Sequence, residues 1–322
     1  MNVILGLDTS CYTTSAALVS VEGQLLASDR LLLRVPDGRR GLMQSEMVFQ
    51  HVQALPERIA AVMQQQPDVQ IAAVSASTRP RGVETSYMPA FRAGESQART
   101  VAMLLRVPFY PFSHQEGHVR AASYETEIDI RHPFLALHLS GGTTEVLICG
   151  DGRIECIGGS VDLHAGQLVD RVGVRLGLPF PCGPAMEALA CGTPARHLIG
   201  SSCRGLYCSL SGPETALCRM IETDSVSREQ IASEVYDLLI RTIYHLIEAA
   251  AKQTGISDVL LAGGVASSAL VRAGIEERRI KKRQVLRIRF AKPELSGDNA
   301  VGIALLGADR YRMEKSETGG QP

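Results

Sequence analysis

Two stretches of the chain decide the fold, because both present the same order of elements. Residues 3–33 read VILGLDTSCYTTSAALVSVEGQLLASDRLLL, and residues 134–160 read FLALHLSGGTTEVLICGDGRIECIGGS. In each stretch an apolar strand runs into small polar residues, and two further strands follow around a glycine turn. Such turns between apolar runs predict hairpins. Two copies separated by roughly 130 residues indicate a duplicated domain.

Helical patterns follow each copy. We expect one strand and four helices, at 71–75 and near 44–66, 93–106, 164–177 and 229–254. Further along the chain, SDVLLAGGVASSALVRAGIEE at 257–277 predicts a strand, a glycine turn and a helix. The stretch GDNAVGIALLGADRYRM at 297–313 predicts a capped last helix.

This order of elements is typical of actin-like ATPases. The predicted fold class is therefore α/β of the actin-like ATPase (ASKHA) type, with two duplicated α/β domains around a nucleotide and metal cleft. We expect an N-terminal subdomain at 1–130, a C-terminal subdomain at 131–314 and a disordered tail at 315–322.

The composition narrows the class of protein. With 322 residues, 45% hydrophobic and 21% charged, the chain has ample core, and its net charge of −1 gives no general attraction for nucleic acid. One basic run, 278–289, is either a solvated face or a contact for phosphates. The eight cysteines form no CxxC pair, and neither a signal peptide nor a membrane-spanning run is present. We therefore expect a cytoplasmic protein with reduced thiols and no membrane contact.

Three turns of small residues are candidates for binding phosphates. They are Asp8-Thr9-Ser10, Ser140-Gly141-Gly142 and Gly263-Gly264. Small side chains leave backbone N–H groups free to point at an anion. The alternative is that these are ordinary tight turns. Their order within a duplicated chain favours nucleotide binding.

The stretch SHQEGH places two histidines four residues apart. On a helix, His114 and His118 share one face, as two ligands of one metal ion would. A zinc peptidase needs a glutamate directly after the first histidine, but Gln115 stands there. Glu116 lies roughly 200° around the helix from His114, away from the metal side. Peptidase chemistry is therefore disfavoured, and a metal site competes only with a helix that merely carries two histidines.

Seven motifs in fixed order now resemble one family over residues 3–312. The motifs are GLDTSC, SHQEGH, LSGG, GQLVDRVGVRLGLPFPCGP, SLSGPETA, LAGGV and GDN. The chain is similar to the TsaD/Kae1/Qri7 family, formerly classed as O-sialoglycoprotein endopeptidases. This resemblance implies transfer of a threonylcarbamoyl group from an acyl-adenylate to N6 of adenosine 37 of tRNA. It also implies ATP or ADP binding, an iron or zinc ion, and accessory proteins such as the related TsaB.

The resemblance also assigns residues. It makes His114, His118 and Asp298 the metal ligands; the alternative for Asp298 is capping of the last helix, and both roles can hold at once. Further nucleotide- or substrate-binding positions implied by the family are His138, Leu139, Ser140, Gly141, Gly142, Asp170, Gly183 and Glu187. Ser268 stands where the family usually has an asparagine that contacts the nucleotide. A hydroxyl can still form a hydrogen bond, but with a shorter reach.

The chain departs from the family pattern at the acceptor side. Tyr12 and Thr13 replace an acidic pair, which removes carboxylates that could manage a proton. A glycine-rich segment is replaced by one that contains three arginines, Arg79, Arg81 and Arg92. They either bind a carboxylate or phosphate or lie on the surface as solvated charges.

These departures leave three functions open. The first is a divergent transferase of the family that acts on tRNA or on an altered acceptor, with no catalytic side chain identified. The second is a non-catalytic ASKHA scaffold of the TsaB kind. The third is a sugar kinase, which is disfavoured because no catalytic base is identified and the histidine pair has no role.

Overall fold

The structure is a computed structural model that describes residues 1–10, 12–35, 42–83, 85–150 and 153–318. The chain divides into two compact units. Unit 1 comprises Met1–Tyr124 with Gly297–Pro322, and unit 2 comprises Glu125–Ser296. The expected boundary near residue 130 lies close to the first division. The expected C-terminal subdomain differs, because its last segment belongs to unit 1.

Unit 1 begins with five strands and three helices. They are β1 (Asn2–Asp8), β2 (Thr13–Ser20), β3 (Leu25–Leu32), α1 (Gln44–Gln65), β4 (Gln70–Arg79), α2 (Phe91–Leu105), β5 (Phe109–Ser113) and α3 (His114–Ser123). The strands form one sheet in the order β3-β2-β1-β4-β5, with β1–β2–β3 antiparallel and β1–β4–β5 parallel. Helices α1 and α2 pack against this sheet around an apolar core.

The described part of unit 2 contains seven strands, five helices and a short 3₁₀ turn. They are β6 (Phe134–Leu139), β7 (Thr144–Gly150), β8 (Arg153–Ser160), α4 (Ala165–Arg175), α5 (Gly183–Ala190), β9 (Ser202–Arg204), β10 (Tyr207–Ser209), α6 (Ser211–Glu222), α7 (Arg228–Thr254), β11 (Asp258–Ala262), α8 (Ala269–Lys281), β12 (Arg287–Phe290) and the turn Pro293–Leu295. The sheet order is β12-β11-β6-β7-β8-β10-β9. Helix α7 is largely buried and ends where predicted, at a left-handed Gly255.

The sheet topology supports the predicted duplication. Strands β6, β7, β8, β11 and β12 are arranged as β1, β2, β3, β4 and β5 are in unit 1. The pairing directions agree as well, because β6–β7–β8 is antiparallel and β6–β11–β12 is parallel. The short strands β9 and β10 extend only the second sheet.

The last helix, α9 (Val301–Thr318), returns to unit 1. Glycines let it approach closely, since a Cβ on Gly6 would lie 2.6 Å from the Ala304 amide nitrogen. The Ser75 hydroxyl also donates to the Ile303 carbonyl at 2.9 Å. Residues 315–318 are helical and not part of a tail as expected, while 319–322 lie outside the described residues. None of the described helices is both long and apolar enough to cross a bilayer.

Candidate metal and nucleotide sites

Unit 1 brings the three predicted metal ligands together. His114 and His118 lie on α3, and Asp298 lies just before α9. Their donor atoms all lie within 4.8 Å of one another. Asp298 Oδ1 is 3.4 Å from His114 Nε2 and 3.1 Å from His118 Nε2. Donors that each lie about 2 Å from one tetrahedral ion are roughly 3.3 Å apart, so the three side chains fit a divalent metal.

Glu116 takes part in capping α3. Its carboxylate accepts hydrogen bonds from the Ser113 amide at 2.7 Å and the Ser113 hydroxyl at 2.5 Å. The Ser113 hydroxyl accepts in turn from the Glu116 amide, which completes a capping box. Glu116 is therefore committed to the start of the helix and is not placed to activate a metal-bound water.

The structure gives Asp8 a different role from the predicted contact with nucleotide or substrate. Asp8 is almost completely buried, and its Oδ2 lies 3.1 Å from His114 Nδ1. Its two oxygens also accept from the Ser10 hydroxyl at 3.0 Å and the Ser77 hydroxyl at 2.5 Å. A carboxylate behind a ligating histidine fixes the tautomer and the orientation of the ring. Asp8 and Ser10 therefore support the metal site from behind.

Thr9 also lies inside unit 1, with its side chain fully buried. Its hydroxyl donates to the Ala90 carbonyl at 3.0 Å and accepts from the Gly94 amide at 3.1 Å. These bonds attach the end of β1 to the start of α2. The Thr9 side chain therefore serves the fold, because both of its hydrogen-bonding functions are used within unit 1, and phosphate binding by the backbone amides of this turn stays a prediction.

Two neighbouring carboxylates set the charge state of His114. Burial by itself lowers the pKa of His114, but the Asp8 carboxylate and hydrogen bonds to Asp298 and Asp8 outweigh it and raise the pKa to about 10. Burial likewise raises the pKa of Asp298, but hydrogen bonds from His114 and His118 hold it well below its usual range. A proton therefore occupies the site when no metal is bound, and a metal must displace it.

Because His114 holds this proton in the metal-free protein, the stability of that form should depend on pH. A histidine whose pKa rises on folding contributes its full stabilisation at pH values below the pKa in the unfolded chain, about 6.5. The stabilisation is lost as pH rises towards the folded pKa of about 10. We expect the free energy of unfolding of chelator-treated protein, measured with urea, to fall by a few kcal/mol, on the order of 3, from pH 6.5 to 10. The difference between wild type and His114→Gln should shrink over the same range; a constant difference would contradict the assignment.

Close packing of two helices holds the metal ligands together. A Cβ added to Gly302 on α9 would lie 1.8 Å from the Gly117 carbonyl on α3. The first turn of α9 is capped by Asn299, whose side chain accepts from the Val301 amide at 3.0 Å. Capping by Asp298, the competing interpretation, is therefore not what the structure shows. Asp298 is left to face the histidines.

In unit 2 two glycine turns meet at Leu139. The Leu139 carbonyl accepts from the Val265 amide at 3.0 Å, which attaches the turn Gly263-Gly264 to the turn at Ser140–Gly142. The amides of Gly141 and Gly264 have no acceptor among the described residues. A Cβ on Gly141, Gly142 or Gly264 would meet nothing within 4 Å, and none of the three has a left-handed φ. Packing and backbone conformation therefore do not require these glycines, whereas close approach of a ligand would.

Some of the other residues of unit 2 that were predicted to bind a ligand also pack in the core or cap a helix. Gly263 is packed, since a Cβ there would lie 2.3 Å from the Leu139 carbonyl oxygen. The Leu139 side chain is fully buried in the core, and Ser268 is a buried N-cap of α8. The Leu139 side chain thus packs in the core and the Ser268 hydroxyl caps a helix, while contact of either residue with a ligand stays a prediction. His138 lies half-buried next to Leu139 on β6.

Asp170, Gly183 and Glu187 lie around the starts of two helices. Asp170 accepts from the Cys182 amide at 2.8 Å, directly before α5. Glu187 accepts from the Leu270 amide at 3.0 Å, in the first turn of α8. The Tyr236 hydroxyl donates to the Gly183 carbonyl at 3.1 Å. All three residues are half-buried, so a ligand can still reach them.

The three arginines of unit 1 differ in their surroundings. Arg92 is exposed and pairs at 2.5 Å with Glu95, which it shares with Arg99. Arg81 is exposed and its backbone amide donates to the Ser86 hydroxyl at 3.0 Å. Arg79 ends β4 with its Nε buried and unpartnered. Sequence alone treats the three alike, whereas the structure separates them.

The basic run 278–289 is largely neutralised. Six of its cations pair with carboxylates, namely Arg278, Arg279, Lys281, Lys282, Arg287 and Arg289. Arg283 is the member for which the described residues offer no acidic partner. Internal pairing favours the interpretation of this run as a solvated face.

Comparison with solved structures supports the fold. The chain resembles HypF of T. kodakarensis with 16% identity and a TM-score of 0.64, over 97% of this chain and 48% of that one. It thus spans about half the length of HypF. Component A of (R)-2-hydroxyglutaryl-CoA dehydratase from Acidaminococcus fermentans matches with 15% identity and a TM-score of 0.56, over 97% and 100%. A ROK family glucokinase from Streptomyces griseus, with glucose and AMPPNP, matches with 13% identity and a TM-score of 0.53, over 94% and 98%. The predicted actin-like ATPase fold is confirmed.

A match to a family model identifies the protein family to which the chain belongs. Residues 45–305, which include the histidine pair, Asp298 and both glycine turns of unit 2, match the model described as "TsaD: tRNA N6-adenosine threonylcarbamoyltransferase". This range covers well over half of the chain, and it confirms the resemblance predicted from seven motifs. The chain therefore belongs to the TsaD family.

Proposed function

We propose that the protein is a carbamoyl-type transferase with one divalent metal ion, iron or zinc, in unit 1. The observation that carries this proposal is the cluster of His114, His118 and Asp298, supported from behind by Asp8. Family membership supports transfer of a carbamoyl or threonylcarbamoyl group. The glycine turns of unit 2 support binding of ATP, ADP or an acyl-adenylate.

The chain's own residues hold and orient the reactants. When bound, the metal would supply Lewis-acid polarisation of a carbonyl or acyl oxygen. His114 keeps its Nδ1 proton on Asp8, so that Nε2 faces the ligand position. His118 Nε2 and Asp298 Oδ1 complete the set of donors. The two imidazoles and one carboxylate suit either iron or zinc and leave positions open for substrate.

The acceptor is the finer part of the proposal. Transfer to N6 of adenosine 37 of tRNA needs a group that accepts the proton leaving the attacking amine. Tyr12 is exposed and Thr13 is buried in β2, and neither is a carboxylate. The paired basic run also offers little to a phosphate backbone. We infer a divergent member of the family, which transfers its group to an altered acceptor or modifies tRNA only weakly.

Complementation tests this acceptor. A proton-transfer group is worth about 10²–10⁴ in rate, so the chain should restore less than about a tenth of the threonylcarbamoyladenosine in a strain depleted of its own enzyme. Mass spectrometry of tRNA nucleosides measures this. Tyr12→Asp, which returns one of the missing acids at an exposed position, should increase the yield. Full restoration by the wild-type chain would contradict the proposed divergence, and profiling of metabolites from a deletion strain would identify another carbamoylated acceptor.

The alternative is a non-catalytic scaffold that binds a TsaB-like partner. An exposed apolar stripe along α1 favours it, formed by Phe49, Val52, Pro56 and Ala60 at helical spacing. A scaffold has no need for the metal cluster, so stoichiometric metal in the purified protein would argue against it.

We place the protein in the cytoplasm, because the seven described cysteines are unpaired thiols. Cell fractionation checks this location.

A further inference from the structure

The backbone of Arg79 lies next to the start of the helix that carries the two metal-binding histidines of unit 1. It is the last residue of β4, where a bulge after Ser77 sets it opposite Ser113 of β5. Ser113 caps α3 and is followed at once by the metal ligand His114. The next residue, Pro80, accepts from the Gln115 amide at 3.1 Å. Bulges at strand ends commonly redirect a side chain next to an active site.

The guanidinium of Arg79 has no partner among the residues that the structure describes. Its Nε is buried without an acceptor, and none of the described residues forms an ion pair or a hydrogen bond with its side chain. Arg58 also has a buried Nε without an acceptor, but its terminal nitrogens reach Asp29 and Glu57. A partly buried cation without a partner is costly, so its presence beside a site indicates a ligand that supplies the acceptor.

We propose that Arg79 binds the carboxylate of an amino-acid-derived carbamoyl substrate next to the metal. This inference rests on the proposed function and adds the residue that holds the substrate's carboxylate. The planar edge of a guanidinium offers two parallel donors that match the two oxygens of a carboxylate. For phosphates we propose other donors, because the Gly141 and Gly264 amides of unit 2 have no acceptor among the described residues. Arg92 differs from Arg79, because its exposed guanidinium pairs with Glu95, a carboxylate that it shares with Arg99.

The test uses a pair of probes that differ only in the carboxylate. Zinc-loaded full-length protein is titrated calorimetrically with N-carbamoyl-L-threonine and with its primary amide. If the Arg79 guanidinium pairs with the carboxylate of the probe, wild-type protein should bind the acid at least about tenfold more tightly than the amide. Arg79→Gln should abolish this preference, Arg79→Lys should retain part of it, and the control Arg92→Gln should keep it in full.

Several outcomes would overturn the inference. An acid-to-amide preference that persists in Arg79→Gln, or no binding of either probe to zinc-loaded protein, removes the assigned role. Inorganic phosphate that binds more tightly than the acid, in a manner dependent on Arg79, would reassign the residue to phosphate. Metal content is measured on the same samples. Protein that holds no zinc would count against the proposed function, whereas protein that holds zinc but gives one of the results above would count only against the role of Arg79.

Thermal unfolding supplies a second readout. The Arg79 side chain forms no hydrogen bond or ion pair with the described residues, so Arg79→Gln should melt at the wild-type temperature or above it. Removal of a structural ion pair would instead lower the melting temperature. A marked loss of stability in Arg79→Gln would show that the guanidinium serves the fold and would count against a ligand role.

Discussion

Replacing His118 with alanine should reduce bound metal from about one ion per chain to near zero. His118 supplies one of three protein donors, and its Nε2 lies 3.1 Å from Asp298 Oδ1. Two remaining donors make a weak site, because structural and catalytic metal sites in proteins usually retain at least three. The measurement is elemental analysis by mass spectrometry on protein loaded with iron or zinc and then dialysed.

Matched variants sharpen this result. His132→Ala removes another imidazole that lies near a carboxylate, Asp129, but belongs to unit 2, and it should leave metal content unchanged. Asp8→Asn should weaken metal affinity by about 10- to 100-fold without abolishing it, as loss of a supporting carboxylate does. Wild-type protein that binds no metal would favour the scaffold function. Equal metal in wild type and His118→Ala would place the ion elsewhere.

The repeated pattern of hairpins makes most of this fold predictable. Period-two apolar runs and glycine turns are local signals, so the strands of both copies can be located from sequence, and α7 ends at Gly255 as expected. The return of α9 to unit 1 depends on long-range packing. Its signal was present in the glycines Gly6, Gly302 and Gly307, each of which would collide through a Cβ. One sequence does not reveal which element such a glycine must approach.

The candidate site was predictable where spacing on one helix decides the chemistry. His114 and His118 are such a case, and so is the unsuitable position of Glu116. The role of Asp8 was not predictable, because a small polar turn after a strand can bind an anion or support a ligand equally well. Only the hydrogen bonds to His114, Ser10 and Ser77 distinguish these roles. Arg79 is similar, since its lack of an acceptor is a property of the folded chain.

Gly142→Val should abolish nucleotide binding while leaving the fold intact. A side chain there would enter open space in the free protein, since no atom lies within 4 Å of an added Cβ. A phosphate held by the amides of this turn would occupy that space. Loss of two or three charge-assisted hydrogen bonds lowers affinity by about hundredfold or more. Calorimetric titration with ATP and ADP measures the loss, and thermal unfolding shows that stability is retained.

Two other glycines make the comparison decisive. Gly200 is exposed, has open space around its Cβ position and lies outside the turns, so Gly200→Val should bind nucleotide as wild type does. Gly166 is the opposite case, because a Cβ would lie 2.7 Å from the Gly141 amide nitrogen, so Gly166→Val should lose stability as well as binding. Wild-type affinity in Gly142→Val would mean that the turn does not hold phosphate. A ligand role therefore predicts lost binding with an unchanged melting temperature at Gly142 alone among the three.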